Sequence, residues 1–207
     1  MNQKRILIAC EFSGIVREAF KKEGWDAWSC DLLPTEISGQ HIQDNVLKHL
    51  NEGWDLMIAH PPCTYLSHAG ARWLYPKGKL NKERYSKGLE AKAFFLKLLD
   101  APIPLIAIEN PLPSSIYGLP KFSQEIQPYQ FGDEAQKRTL LWLKGLPNLV
   151  PTKVVGKGEF IIYKSGKRKA KWFQELFSLP PKERALLRSK TFQGIANAMA
   201  QQWGNII

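Results

Sequence analysis

The chain is short of cysteine, and the three it has, Cys10, Cys30 and Cys63, form no Cys-x-x-Cys pair. An odd, scattered set of thiols supplies neither a disulfide framework nor a zinc cluster. Four dispersed histidines add no ligand spacing, so no metal is expected. Long apolar runs are missing too. Arg5-Ile6-Leu7-Ile8-Ala9 near the start is too short for a secretory apolar region, and no segment approaches bilayer-spanning length. These absences point away from a membrane and to the cytoplasm. Internal repeats are absent, and 207 residues suit one well-cored domain over 1–207. Acid is scarce: 19 Asp and Glu stand against 29 Lys and Arg, a net charge of +10 that suits a polyanionic partner. A hydrophobic content of 44% excludes extensive disorder.

What is present alternates. Arg5–Ala9 reads as a strand, Ser13-Gly14 as a tight turn, and Ile15, Val16, Ala19 and Phe20 as a helix stopped by Gly24. Trp25 to Cys30 reads as a second strand ending at Asp31, Trp54 to Ala59 as a later one, and Ser86 to Leu99 as a helix. Leu105 to Ile108 forms a strand that ends on Glu109-Asn110-Pro111, and Thr139 to Leu143 offers one more. Strands alternating with helices imply an α/β fold with a doubly wound, mostly parallel sheet. Residues 147–185 read as a basic loop or insert, and 192–203 as a closing helix that packs through Ile195, Ala198 and Met199.

Chemistry collects where these strands end. Leu56-Met57-Ile58-Ala59-His60-Pro61-Pro62-Cys63-Thr64 is an apolar run stopped by two prolines, which lack the N–H groups a ladder needs, with a thiol directly after them. Alone, Cys63 would read as a small buried hydrophobe. Asp31 and Glu109 end other strands, and parallel strands bring such ends to one crevice, where ligands bind. A Ser13-Gly14 turn lets a ligand approach the backbone at a helix N-terminus, and Asp31 is placed to accept from ribose hydroxyls. Asp44 is similar, or is a helix cap. Lys153, Lys157, Lys164, Lys167, Arg168, Lys169 and Lys171 against the single acid Glu159 concentrate positive potential that suits phosphate contact.

Taken together, these segments resemble the cytosine-5 DNA methyltransferase family, especially its compact bacteriophage-encoded members. Pro61-Pro62-Cys63 resembles the family's Pro-Cys nucleophile loop, and Glu109-Asn110 its Glu-Asn motif, with Pro111 where valine is usual. Phe12-Ser13-Gly14 resembles the first cofactor motif, with Ile15-Val16 in place of a further glycine. Gln136-Lys137-Arg138 is similar to the Gln-x-Arg-x-Arg signature, with Leu140 replacing the second arginine, and Gly194-Ile195-Ala196-Asn197-Ala198 is similar to a Gly-Asn-Ala element near the cofactor. The resemblance implies a Rossmann-like class I methyltransferase fold, S-adenosylmethionine as cofactor and DNA as partner. Phe12, Ser13, Gly14, Asp31, Asp44, Pro61 and Asn197 would then be cofactor contacts, and Cys63, Glu109 and Arg138 catalytic.

The implied chemistry needs these residue types. Carbon 5 of cytosine is a poor nucleophile, so a thiolate first adds to carbon 6. Glu109, its pKa raised by a dry pocket, would donate a proton to N3, and Arg138 would hold the base carbonyl or the thiolate. Three other readings stand beside this one. An exocyclic-amino methyltransferase shares the tandem prolines but usually carries Asp or Asn before them and an aromatic after them. With only about 40 residues between the Arg138 segment and the final motif, the substrate is a low-specificity duplex site, a single strand or a free cytidine nucleotide. The third is a non-catalytic fold that binds nucleic acid.

Overall fold

The computed structural model describes residues 4–206. A seven-stranded sheet runs in the order β3-β2-β1-β4-β5-β7-β6, built from β1 (Arg5–Ala9), β2 (Asp26–Asp31), β3 (His41–Gln43), β4 (Leu56–Ala59), β5 (Leu105–Asn110), β6 (Gln124–Ile126) and β7 (Thr139–Lys144). The first five are parallel, while β7 runs antiparallel to both its neighbours. Beyond the sheet lie a two-stranded hairpin, β8 (Phe160–Ile162) and β9 (Arg168–Ala170), and five helices: α1 (Ile15–Lys22), α2 (Lys82–Leu99), α3 (Lys171–Glu175), α4 (Pro181–Ser189) and α5 (Gln193–Gly204). Among the described residues no helix is long and apolar enough to cross a membrane.

The central strands are apolar on both faces because both are covered. Ile6, Ile8, Leu56 and Ile58 pack with α1 and α5, and Leu7, Ala9, Met57 and Ala59 pack with α2 on the other side. The fold is therefore α/β, doubly wound and mostly parallel. α2 starts a turn before the expected Ser86 because the Asn81 side chain accepts from Arg84 N at 3.0 Å and caps it. Phe95 of α2 meets Trp142 of β7 edge-on, with ring centroids 5.1 Å apart.

Two local devices fix the entry to α1. Gly14 has φ +77°, and a Cβ there would press on Arg17 Nη2 at 2.9 Å, so glycine serves both the turn and the packing. Arg17 is fully buried: it donates to Glu18 Oε1 at 2.8 Å, Ser29 Oγ at 2.9 Å and the Ile37 carbonyl at 2.6 Å, tying α1 to β2 and to the loop after it. The segment at 147–185, expected as a loop or insert, carries the β8–β9 hairpin. Tyr163 N donates to Lys167 O at 2.9 Å and Gly166 turns with φ +75°, closing β8 on β9.

Arg17→Leu keeps much of the volume but strands the carbonyls and hydroxyl that the guanidinium serves. We expect a loss of about 3 kcal/mol in urea unfolding; a loss below about 1 kcal/mol would mean that water replaces the guanidinium at little cost.

Candidate functional site

The exits of β4 and β5 are joined to each other. β4 ends at Ala59, and the next two residues hold the neighbouring strand's exit: His60 Nδ1 lies 2.9 Å from Glu109 Oε2, and Asn110 Nδ2 donates to the Pro61 carbonyl at 2.9 Å. The chain then turns, with the Cys63 carbonyl accepting from Leu66 N at 3.2 Å and Ser67 N at 2.9 Å. Cys63 is left half-buried at the rim, its thiol in the field of the Glu109 carboxylate.

Charge in this pocket is set by residues far apart in sequence. Lys137 Nζ stands 3.8 Å from Glu109 Oε1, and Thr191 Oγ1 donates to Glu109 Oε2 at 3.5 Å. Burial works to raise the Glu109 pKa, but Lys137 and His60 overcome it and hold the carboxyl at about 2. The expected protonated Glu109 is thus corrected: in this structure it is a carboxylate. Burial pushes the Cys63 thiol up; Arg188 of α4 and Lys137 pull it down without cancelling that effect, and Glu109 adds to the rise. The proton of the pair therefore rests on sulfur.

Arg138 does not join them. It is exposed and makes an ion pair with Glu125 at 2.9 Å. Register explains this. Leu141 of β7 faces Glu109 of β5, so odd-numbered residues at this end of β7 share the face of Glu109, while Leu140 faces Asn110 and Glu125. Lys137, not Arg138, is the cation that register delivers. Lys137 is visible in sequence as the middle residue of Gln136-Lys137-Arg138, but choosing it needs the strand pairing. His60 carried a signal in its place before the prolines, whereas Arg188 and Thr191 carried none.

A cavity of about 550 Å³ opens at the switch point beside β1, where the chain runs to β2 on one side and β4 lies on the other. Asp31, Asp44 and Asn45 give it polar walls; Leu32, Val46 and Phe94 give it apolar ones. Asp31 and Asp44, expected at a strand-end crevice, both line this cavity. Asp44 also pairs with Lys48 at 2.9 Å, and Asn45 rather than Asp44 caps the following turn. Pro62, not Pro61, lines the cavity, since Pro61 is buried with its carbonyl bound to Asn110.

Phe12, Ser13 and Gly14 are not part of that lining. The helix N-terminus behind them is already filled by Glu11, whose carboxylate accepts from Val16 N at 2.7 Å, Arg17 N at 3.3 Å and Ser13 Oγ at 3.2 Å. Burial raises the Glu11 pKa, opposed by His60 and by these donors. The expectation of a free N-terminus for a ligand is corrected, because an internal carboxylate satisfies its donors. Asn197 is also elsewhere: it is exposed on α5 and accepts from Gln193 Nε2 at 2.8 Å. Gly194 in the same motif has a packing role, since a Cβ there would collide with the Phe131 carbonyl, while its N–H donates to Asp133 Oδ2 at 2.9 Å.

The basic run lies along the hairpin and its approach. Lys164 and Lys167 are exposed at the turn, Arg168 stacks 4.4 Å over Phe160, Lys169 lies 5.3 Å from Tyr163 and Lys157 lies 5.3 Å from Tyr129. Lys153 is exposed, and Lys171 is engaged by Glu159 at 2.5 Å. No protein-family model and no curated protein matches this chain.

Lys137→Met removes a cation that lowers the pKa of both Cys63 and Glu109. We expect the pH profile of Cys63 alkylation by iodoacetamide, followed by peptide mass spectrometry, to move to higher pH. A profile identical to the parent's would remove Lys137 from the site.

Proposed function

We propose that the chain transfers a methyl group from S-adenosylmethionine to carbon 5 of cytosine in DNA, with Cys63 as the covalent nucleophile. The observation that carries this reading is the joining of the strand exit that leads to Cys63 with the one that bears Glu109, through His60 Nδ1 at 2.9 Å from Glu109 Oε2 and Asn110 Nδ2 at 2.9 Å from the Pro61 carbonyl, with Lys137 3.8 Å from the carboxylate. The neighbouring cavity fits the cofactor by its donor set. Leu32, Val46 and Phe94 suit a flat purine, while Asp31, Asp44 and Asn45 suit the hydroxyls and amine of a nucleoside. When bound, that cofactor supplies an electrophilic sulfonium methyl group.

The residues of the chain would act as follows. Cys63 Sγ adds to carbon 6 of the base, so a C–S bond forms and the S–H bond breaks. The pocket holds one proton between thiol and carboxylate, resting on sulfur. Glu109 accepts it and passes it to N3, where the addition places charge, and its other oxygen accepts from the exocyclic amine. Carbon 5 is then electron-rich. Afterwards carbon 5 loses its proton to solvent, the C–S bond breaks, and the N3 proton returns through Glu109 to Sγ. Lys137 and Arg188 stabilise whichever group of the pair carries the negative charge. A base reaching this crevice has left its stack or was never paired.

A 5-fluorocytosine oligonucleotide lacks the carbon-5 proton needed for release. With S-adenosylmethionine present, we expect a covalent adduct that maps to Cys63 and disappears in Cys63→Ala. Glu109→Gln should slow adduct formation by about 10²- to 10⁴-fold, while Arg138→Ala should change it little. No adduct on either single or duplex strands, with the cofactor bound, would overturn the mechanism.

The hairpin supports a polymeric substrate. Replacing Lys164, Lys167 and Arg168 together by alanine should weaken oligonucleotide binding at low salt and reduce the slope of log K against log salt by about two. An unchanged slope would take the hairpin off the phosphate path.

A further inference from the structure

The segment that follows Cys63 carries a surface the mechanism does not use. Leu74 is buried, yet its neighbours Trp73 and Tyr75 are 58% and 49% exposed. Two large rings turned outward on either side of a buried anchor form a patch that needs a partner. The patch is strongly basic: Arg72, Lys77, Lys79, Lys82, Arg84 and Lys87 stand against the single acid Glu83. Lys87 already engages that acid at 2.6 Å.

Between these residues lies a groove of about 490 Å³, lined by Tyr65, Trp73, Pro76, Asn81, Arg84, Lys87 and the Glu83 that Lys87 neutralises. Its position relative to Cys63 is fixed. Arg84 Nη2 donates to the carbonyl of Thr64, the residue after Cys63, at 2.8 Å and stacks its guanidinium 5.0 Å over Tyr65. Asn81 N donates to Leu74 O at 2.8 Å and closes the base of the loop. Tyr65 and Lys87 also line the cavity assigned to the cofactor, so the two spaces share a wall.

We propose that this groove is a stacking platform for unpaired nucleobases, and hence that the Cys63 site takes its cytosine from a single strand. The proposal rests on the reading of the Cys63 site as one that acts on a polynucleotide. Charge complementarity selects a polyanion. The exposed rings select an unstacked one, because a base inside a duplex has no free face to offer Trp73 or Tyr75. Arg72, 4.9 Å over the Trp73 ring, and Arg84 are placed to meet phosphates on either side of a stacked base.

The test needs no turnover and no methyl donor. The full chain is titrated by fluorescence anisotropy with one cytosine-containing 12-mer as single-stranded DNA, as duplex DNA and as single-stranded RNA. The single strand should bind more tightly than the duplex. Trp73→Ala should weaken single-strand binding by about 5- to 150-fold, as loss of one stacked base does, with the salt slope and the melting temperature unchanged. Trp73→Phe should retain most of the affinity. Tighter binding of the RNA would identify the strand as RNA and support the platform. Equal losses on single strand and duplex, or no loss in Trp73→Ala, would overturn it. Trp73-dependent binding without a 5-fluorocytosine adduct would remove the Cys63 chemistry alone, and an adduct with Trp73-independent binding would remove the platform alone.

Discussion

The candidate site depends on one constraint, the joining of two strand exits. His60 holds Glu109 at 2.9 Å while Asn110 holds the Pro61 carbonyl at 2.9 Å, so each exit fixes the other in a reciprocal pair of contacts. Tandem prolines make this necessary. They offer no N–H groups of their own, and without outside donors the turn that places Cys63 would be held only by its own hydrogen bonds to Leu66 and Ser67.

That joining has an electrostatic consequence. It buries a carboxylate, which is expensive unless paired, and the compensation comes from His60 on the neighbouring strand exit and from later in the chain, from Lys137 before β7 and Thr191 before α5. Lys137 also acts on Cys63, together with Arg188. With the proton on sulfur and Glu109 ionised, moving that proton from one to the other would leave the net charge of the site unchanged. Residues just beyond the 147–185 segment also reach this region, since α4 brings Arg188 near Cys63 and the residues after it bring Thr191 to Glu109.

Two basic surfaces carry cations over rings, as Arg168 lies over Phe160 on the hairpin and Arg72 over Trp73 in the segment after Cys63. In the second segment Trp73 also lines a groove. Composition registered the first as a run of lysines. The second was hidden because its charges are spaced through a segment that also holds Leu74, Tyr75 and Pro76, so no dense run appears.

Local sequence determined the elements whose causes are local. The apolar runs at Ile6–Ala9, Leu56–Ala59 and Leu105–Ile108 are strands because each is buried on both faces, and the Gly14 turn is legible because few other residues accept its φ of +77°. Cys63 and Glu109 could be located for the same reason, since Glu109 is the penultimate residue of β5 and Cys63 stands four residues beyond β4. Tertiary structure decided the rest. A register of Leu141 opposite Glu109 brings Lys137 rather than Arg138 to the carboxylate, Glu11 fills the helix N-terminus that a ligand was expected to use, and α5 turns Asn197 outward and away from the cavity. Strand order within a segment can be read from periodicity, but pairing between segments depends on which faces the whole core must bury, and one residue of register exchanges every partner.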